Sequence, residues 1–243
     1  MSFRFRQFEV EDSFSAMKVG TDAMLLGAWV QPGNARSILD VGTGCGVLAL
    51  MMAQGSEAEI DAVDIHKPSV KEAKHNVSRS PWAGRIRVLC RPLEEHARLA
   101  GTQYDLIITN PPFFIDSLKP HSSKKLIAKH EGSLTLNTLL ESSLCLMHKG
   151  SSLALILPLA EGLVFTGMAN DNGLFLARRL LVRPLPSKPF HRVLMEFRAL
   201  PADGPPEDEL TIFSFKGIFS EKYLIMTQNF HLFNQKRPDV LYF

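Results

Sequence analysis

Cysteine is scarce in this chain. Cys45, Cys90 and Cys145 are odd in number and too far apart for a CxxC-type spacing, so neither a disulfide framework nor a metal site is expected, and the pattern suits a reducing compartment. Long apolar runs are also missing. The best, Leu153 to Leu159, is a strand's length, against the roughly 18 residues that read as a membrane span. The opening MSFRFRQFEVED carries no apolar stretch behind its basic residues, so no export signal is read there, and a soluble cytoplasmic protein without membrane partners is expected. There is no internal repeat and no low-complexity segment, and with 45% hydrophobic and 21% charged residues the 243-residue chain reads as an ordinary globular protein rather than a disordered one. Net charge is only +2, but it is unevenly spread: residues 111–198 hold 11 Lys and Arg against 6 Asp and Glu, whereas residues 1–110 hold 12 against 13. The middle of the chain is its basic part, which fits either a solvated face or a negatively charged partner.

What is present is an alternation of short apolar runs with amphipathic stretches. Phe3, Phe5 and Phe8 suggest an edge strand or hairpin, and Thr21–Trp29 a short helix capped by Thr21 or Asp22. Strands are then predicted at Ser37–Val41, Ile60–Ile65, Ile86–Cys90, Tyr104–Thr109, Ser151–Pro158, Phe175–Arg183 and Val193–Leu200. Helices fall between them at Val47–Gln54, Pro68–Arg79, Leu93–Leu99, Leu134–Met147 and Glu161–Asn170. Seven strands wound with helices in this order predict an α/β, doubly wound, mostly parallel sheet, with ligands beyond the carboxyl ends of its strands.

The first strand runs into a glycine-rich turn, Asp40-Val41-Gly42-Thr43-Gly44-Cys45-Gly46. Its spacing is DxGxGxG, not the GxGxxG that seats a pyrophosphate on a helix N-terminus. Asp40 would repel a pyrophosphate and attract a cation, and S-adenosylmethionine (SAM), with its ammonium and sulfonium, is that kind of ligand. Gly42, Gly44 and Gly46 let backbone approach it. Asp64 ends the second predicted strand, where an acid can take both hydroxyls of a ribose; Asp61, nearer the strand start, is read as a cap or solvent-facing. After the third strand comes Cys90-Arg91-Pro92-Leu93-Glu94-Glu95 with no acid at the strand end to bind an adenine amine. The backbone near Leu93 is therefore the expected adenine contact, with Glu94 and Glu95 as helix N-terminal charges.

The fourth strand leads directly into Asn110-Pro111-Pro112-Phe113. The lone pair of an aromatic amine or carboxamide nitrogen is delocalised, and two neutral acceptors, the Asn110 side-chain oxygen and the Pro111 carbonyl, can hold its hydrogens and aim the lone pair at a methyl donor. Pro112 stiffens the loop and Phe113 offers a platform for a planar substrate. Taken as a string the tetrapeptide is a turn; directly after a buried strand, 64 residues past Gly46, it reads as a catalytic loop.

Asp40 to Gly46 together with Asn110 to Phe113 resemble the class I SAM-dependent methyltransferases that act on amino groups. The run from Gln7-Phe8 through Ala16-Met17-Lys18-Val19-Gly20-Thr21-Asp22-Ala23-Met24-Leu25-Leu26-Gly27-Ala28-Trp29 resembles, more narrowly, the bacterial tRNA adenine-N6 methyltransferases that modify adenine 37 of valine tRNA, and Leu210–Phe213 with Tyr223–Phe233 fits that family's tail. The resemblance implies a Rossmann-like methyltransferase sheet with an N-terminal hairpin and helix extension, residues 1–35 packing on a methyltransferase domain at 36–243, one domain overall. It implies SAM as cofactor, S-adenosylhomocysteine as product, and Lys18 and Thr21 near the methionine end, although Thr21 and Asp22 serve equally as helix caps. It implies tRNA as partner and a protein that is expected to be a monomer.

Lys119, Lys124, Lys125 and Lys129, with His121, follow the acceptor loop, and Arg183, Lys188 and Arg192 cluster with Arg178, Arg179 and His191 around Pro184-Leu185-Pro186. The first three of that cluster and the four lysines are candidate RNA contacts. Arg178 and Arg198 are read as solvated strand residues, and His130, His148 and His231 as having no partner at ligand or catalytic spacing. A protein glutamine methyltransferase shares the acceptor chemistry, but only 39 residues precede Asp40 where that family resembles chains with a helical domain. DNA adenine methylation, and SAM binding without catalysis, are the remaining alternatives.

Overall fold

The computed structural model describes residues 2–112, 134–201, 204 and 206–232. The chain begins with an antiparallel hairpin, β1 (Ser2–Arg4) and β2 (Glu9–Glu11), where Phe5 and Phe8 stack at 4.3 Å. Helix α1 (Thr21–Trp29) follows, and its cap is Gly20 with no side-chain hydrogen bond, so the expectation of a Thr21 or Asp22 cap is corrected. Asp22 is instead occupied by Arg192, whose Nε donates to Oδ2 at 3.0 Å.

The winding then proceeds through β3 (Ser37–Val41), α2 (Val47–Gly55), β4 (Glu59–Asp64), α3 (Lys67–Ser78), β5 (Ile86–Cys90), α4 (Leu93–Leu99) and β6 (Tyr104–Thr109). It continues through α5 (Leu136–Leu146), β7 (Met147–Pro158), α6 (Leu159–Asp171), β8 (Phe175–Arg183) and β9 (Arg192–Arg198). Helix starts are locally satisfied: the side chains of His66, Thr135 and Ser220 each accept from a backbone N–H three residues on. Helix α2 is buried on every side because its sequence, VLALMMAQG, is apolar all round. Its approach to α1 is set by Gly27, where a Cβ would run into the Met51 side chain.

Beyond β9 lie β10 (Glu207–Thr211), a second hairpin of β11 (Phe213–Phe215) and β12 (Ile218–Phe219), and α7 (Glu221–Thr227). The main sheet has eight strands in the order β10-β8-β9-β7-β6-β3-β4-β5, one more than the seven expected. The extra strand reads EDELT and buries only Leu210, so no apolar pattern announces it. It pairs parallel with β8, and its acids meet arginines there: Glu207 pairs with Arg179, and Glu209 lies 3.9 Å from Arg183. Charge on an edge strand discourages pairing with other chains. Strands β3 to β7 are parallel and β9 is antiparallel to β7 and β8.

Two hydrophobic clusters cover the two faces of the sheet, one under α1, α2, α3 and both terminal segments, the other under α4, α5 and α6. The second face contains one polar network that the sequence did not announce. Asp61 is buried rather than capping or solvent-facing: Arg87 donates to its two oxygens at 2.7 Å each, and the Tyr104 hydroxyl donates at 2.6 Å while contacting His96 Nε2 at 2.8 Å. Burial pushes the Asp61 carboxyl up, and the Arg87 fork and Tyr104 outweigh it, leaving the group below the ordinary carboxylate value. Two further expectations are corrected on the same grounds of pairing. His148 meets Asp105 at 3.0 Å, and Arg178 pairs with the buried Glu196 at 2.7 Å while lying over Trp29; Arg198 also reaches Glu196 but is exposed, as expected of a solvated strand residue. Among the described residues no helix is long and apolar enough to cross a membrane, and no group of His, Cys, Asp and Glu is arranged to hold a metal.

Candidate functional site

The carboxyl ends of β3, β4 and β6 meet at a cavity of about 330 Å³. Its floor is the glycine turn. Gly42 N and Thr43 N both donate to Val63 O, at 2.9 and 3.0 Å, which fixes the turn against β4. Gly44 and Gly46 have φ of +57° and +88°, a region that side-chain-bearing residues avoid. A Cβ on Gly44 would meet only open space, whereas one on Gly46 would sit in ordinary contact with Ala73 of α3, so the first glycine exposes backbone to the cavity and the second is held by its left-handed φ. Cys45 between them is buried, which pushes its thiol up to about 12 and leaves it unreactive.

Asp64 stands at the end of β4 on the cavity wall, its Oδ2 accepting from Gly44 N at 2.9 Å and its Oδ1 from His66 N at 2.8 Å. Each oxygen keeps lone-pair capacity toward the cavity. Pro92 and Leu93 line the same space, with Arg91 and Glu94 beside them; Glu94 and Glu95 occupy the first turn of α4 as expected.

Asp40 sits elsewhere. It is fully buried beneath the turn and does not line the cavity; its Oδ2 accepts from Thr43 Oγ1 at 2.5 Å and from Ala49 N at 3.1 Å, tying the turn to α2. Burial, with a smaller push from the Asp64 charge, raises its carboxyl to about 7. An unfolded chain releases that proton near 3.8 while the folded chain keeps it, so stability falls as pH rises through the window from 3.8 to about 7. Asp40→Asn retains an acceptor and cannot ionise. Its Tm relative to wild type is expected to rise across that window and then level off, as read by thermal unfolding at a series of pH values; a constant difference would mean that Asp40 is ionised throughout.

The remaining wall comes from the N-terminal segment, and α3 holds it there. Ser69, Glu72 and Asn76 lie on one face of α3. Ser69 Oγ accepts from Ala16 N, Glu72 accepts from Phe14 N and Ser15 Oγ, and Asn76 exchanges hydrogen bonds with the Glu11 backbone while donating to Cys45 O. Ala16 and Met17 are thereby set against the cavity. Neither residue carried a chemical signal in the sequence.

A second cavity, about 230 Å³, adjoins the first and shares Met17 and Asn110 with it. Lys18, Thr21, Asp22, His191, Arg192 and Ile212 line it. Lys18 Nζ donates to the backbone carbonyls of Asp12 and Ser13, closing its own segment. Asn110 therefore stands on the partition between two cavities. Its Oδ1 is buried and has no hydrogen-bond partner among the described residues, and the same is true of Thr21 Oγ1 and His191 Nδ1. Burial, and then the neighbouring Arg192 charge, hold His191 below the usual histidine value, so its ring is neutral near pH 7. Three orphan polar atoms around one small cavity suit a planar ligand that offers both donors and acceptors.

Pro111 is buried behind Asn110, and Pro112 lines the first cavity. Phe113, Lys119, Lys124, Lys125 and Lys129 lie outside the described residues. Of the other basic candidates, Arg183 donates to Thr211 Oγ1 at 2.9 Å and covers the Phe190 ring at 4.8 Å, Lys188 is exposed between β8 and β9, and Arg192 belongs to the second cavity through Asp22.

The geometry has counterparts among known proteins. Residues 8–140 match the family described as Methyltransferase small domain. A protein of Parabacteroides distasonis named tRNA1(Val) (adenine(37)-N6)-methyltransferase is 39% identical over 95% of this chain and 97% of its own length, and one of the same name from Trichodesmium erythraeum is 38% identical over the same shares. Among solved structures, an Agrobacterium tumefaciens protein described as a predicted O-methyltransferase superposes with a TM-score of 0.64 at 18% identity, covering 86% of this chain and 96% of that one. TrmN from Thermus thermophilus superposes at 0.54 with 20% identity, covering 73% of this chain and 48% of that one. At such identities the superpositions speak for the fold alone.

Proposed function

The chain belongs to the methyltransferase small-domain family and, within it, to the tRNA1(Val) (adenine(37)-N6)-methyltransferases, SAM-dependent enzymes of Rossmann-like fold, and on that premise we propose that it methylates the exocyclic N6 of adenine 37 in valine tRNA. The observation that carries this reading is Asn110, on the partition between the two cavities, whose buried Oδ1 has no partner among the described residues. A buried acceptor without a donor is costly, and an amine N–H arriving from the second cavity supplies one.

The first cavity suits SAM. Gly42 and Gly44 leave room for a ligand to lie on backbone, Asp64 offers acceptors to the ribose hydroxyls, and Pro92 and Leu93 give the adenine an apolar wall. Lys18 and Thr21 line the second cavity, on the side from which this reading brings the methionine end. When bound, SAM supplies a methyl group on a sulfonium, an electrophile that needs no strong base opposite it. What the chain supplies is orientation. Asn110 Oδ1 accepts one N6 hydrogen and the Pro111 carbonyl the other, which turns the nitrogen lone pair toward the donor; Phe113 stacks on the base. Both acceptors bind more strongly as positive charge grows on the nitrogen, so they favour the transition state over the ground state. Arg183, Lys188 and Arg192, together with Lys119, Lys124, Lys125 and Lys129 of the sequence after the acceptor loop, are the cations this reading assigns to phosphates. In this reading residues 1–35 are an extension of a single domain and give the cofactor site one of its walls.

Tritiated methyl transfer from SAM to tRNA, ribosomal RNA, duplex DNA and protein tests the reading directly. Label is expected in tRNA alone, released as N6-methyladenosine on nucleoside analysis. Label in protein glutamine would keep the acceptor chemistry and overturn the substrate.

A further inference from the structure

The hairpin β11–β12 projects from the wall of the second cavity, and nothing in the proposed reaction uses it. Strands β8 and β10 run parallel with β7, because each of β7 and β8 is antiparallel to β9, so Thr211 ends β10 at the same edge of the sheet as Asn110. Ile212 lines the cavity, and three backbone hydrogen bonds pin the root of the hairpin there: Ile212 N to Arg183 O, Phe213 N to Pro184 O and Ser220 N to Ile212 O, at 3.0, 2.9 and 2.8 Å. An aromatic column stiffens the root. Phe213 stacks on Phe219 at 4.9 Å, and Phe219 on the buried Tyr223 of α7 at 4.6 Å.

The tip has the opposite character. Phe215 is 72% exposed and Ile218, its cross-strand partner, 59% exposed, with Lys216 and Gly217 forming the turn between them. Phe215 is three residues from the cavity wall, a reach of at most about 11 Å. The acids of β10 are engaged by Arg179, Lys222 and Arg183, while among the described residues Lys188 and Lys216 make no ion pair, with Glu221 at the start of α7 as the one unpaired acid beside the hairpin. A bare aromatic beside free ammonium groups matches an unpaired nucleotide, whose base stacks and whose phosphate is anionic. It does not match an apolar protein surface, which would leave the lysines unsolvated.

We propose that the tip of this hairpin is a stacking platform for an unpaired nucleotide flanking the target adenine, with Phe215 under the base and Lys216 at its phosphate. The inference rests on the reading that the substrate is RNA. A stiff root fixes the platform relative to Asn110, so a nucleotide held at Phe215 sets the register in which its neighbour reaches the second cavity.

Steady-state methylation of valine tRNA by wild type, Phe215→Ala, Phe215→Tyr and Lys216→Ala is the test, with SAM affinity, thermal unfolding and sedimentation measured alongside. Phe215→Ala is expected to raise the KM for tRNA about tenfold with kcat and SAM affinity unchanged, and Phe215→Tyr to restore it. Lys216→Ala should lower the salt dependence of tRNA binding by about one unit of log–log slope. An unchanged KM in Phe215→Ala overturns the platform, and so does a loss of self-association with KM unchanged, which would assign the tip to a second copy of the chain. A wild type inactive on tRNA is a different result, the failure of the underlying reading.

Discussion

Asn110→Ala is expected to lower kcat on tRNA about 10²- to 10³-fold while SAM affinity stays within about threefold of wild type. The residue borders both cavities, yet among the described residues its Oδ1 makes no hydrogen bond that the fold would miss. Removing it leaves the glycine turn, Asp64 and the wall at Leu93 in place, so the cofactor site keeps its anchors. What is lost is the group that orients an amine nitrogen, and a misplacement of about 1 Å at a reacting centre costs of order 10² in rate. Parallel single-turnover methylation and equilibrium SAM binding separate the two quantities. An equal loss of both would place Asn110 in cofactor binding and remove its role at the acceptor.

The second large effect is expected from Asp64→Ala, a loss of SAM affinity of about 10²-fold with the fold intact. Hydrogen bonds to a charged acceptor contribute about 1.5–3 kcal/mol each, and two ribose hydroxyls would share this carboxylate. The change also frees Gly44 N and His66 N, which the carboxylate now holds at 2.9 and 2.8 Å, so the turn and the start of α3 lose a common anchor. Asp64→Asn distinguishes the two contributions. It keeps one acceptor for the turn and gives up the charge, and is expected to lose about tenfold. Calorimetric titration with SAM, together with circular dichroism to verify folding, reads both variants; unchanged affinity in Asp64→Ala would mean that the cavity at β4 is not the ribose site.

The parallel core was legible because its strands are buried on both faces. Runs such as Ile38-Leu39 and Leu106-Ile107-Ile108 must then be apolar throughout, and the glycine turn and Asn110 follow at strand ends where ligands gather. Strand β10 was not legible, since four of its five residues are polar and its pairing depends on arginines nearly thirty residues away in β8. Asp40 shows another kind of limit. Its place before the glycines suggested a ligand contact, but the direction of its side chain, inward to Thr43 and Ala49, is decided by the packing of α2. The second cavity was harder still, because it is assembled from α1, the end of β6, the start of β9 and the residue after β10, and no local spacing relates Thr21 to His191. His191 could be noticed only as one member of a basic cluster. Its neutral ring is a consequence of burial, which composition does not report.

The first hairpin and the segment after α7 clasp one another: Phe5 bridges to His231 and Arg6 N donates to Phe230 O at 3.1 Å, while Gln54 of α2 steadies the same segment through Asn229 O at 2.9 Å. This has a bearing on synthesis. As the chain leaves the ribosome, β1 and β2 appear before the main sheet, yet their partner follows every strand of it, so the first hairpin must wait until α7 and the residues after it have emerged. The central strands can pair well before that. A nascent chain with α7 outside the ribosome and His231 still inside would therefore hold a built sheet and an unclasped N-terminal segment, and protease sensitivity near Phe5 would fall only once His231 has emerged.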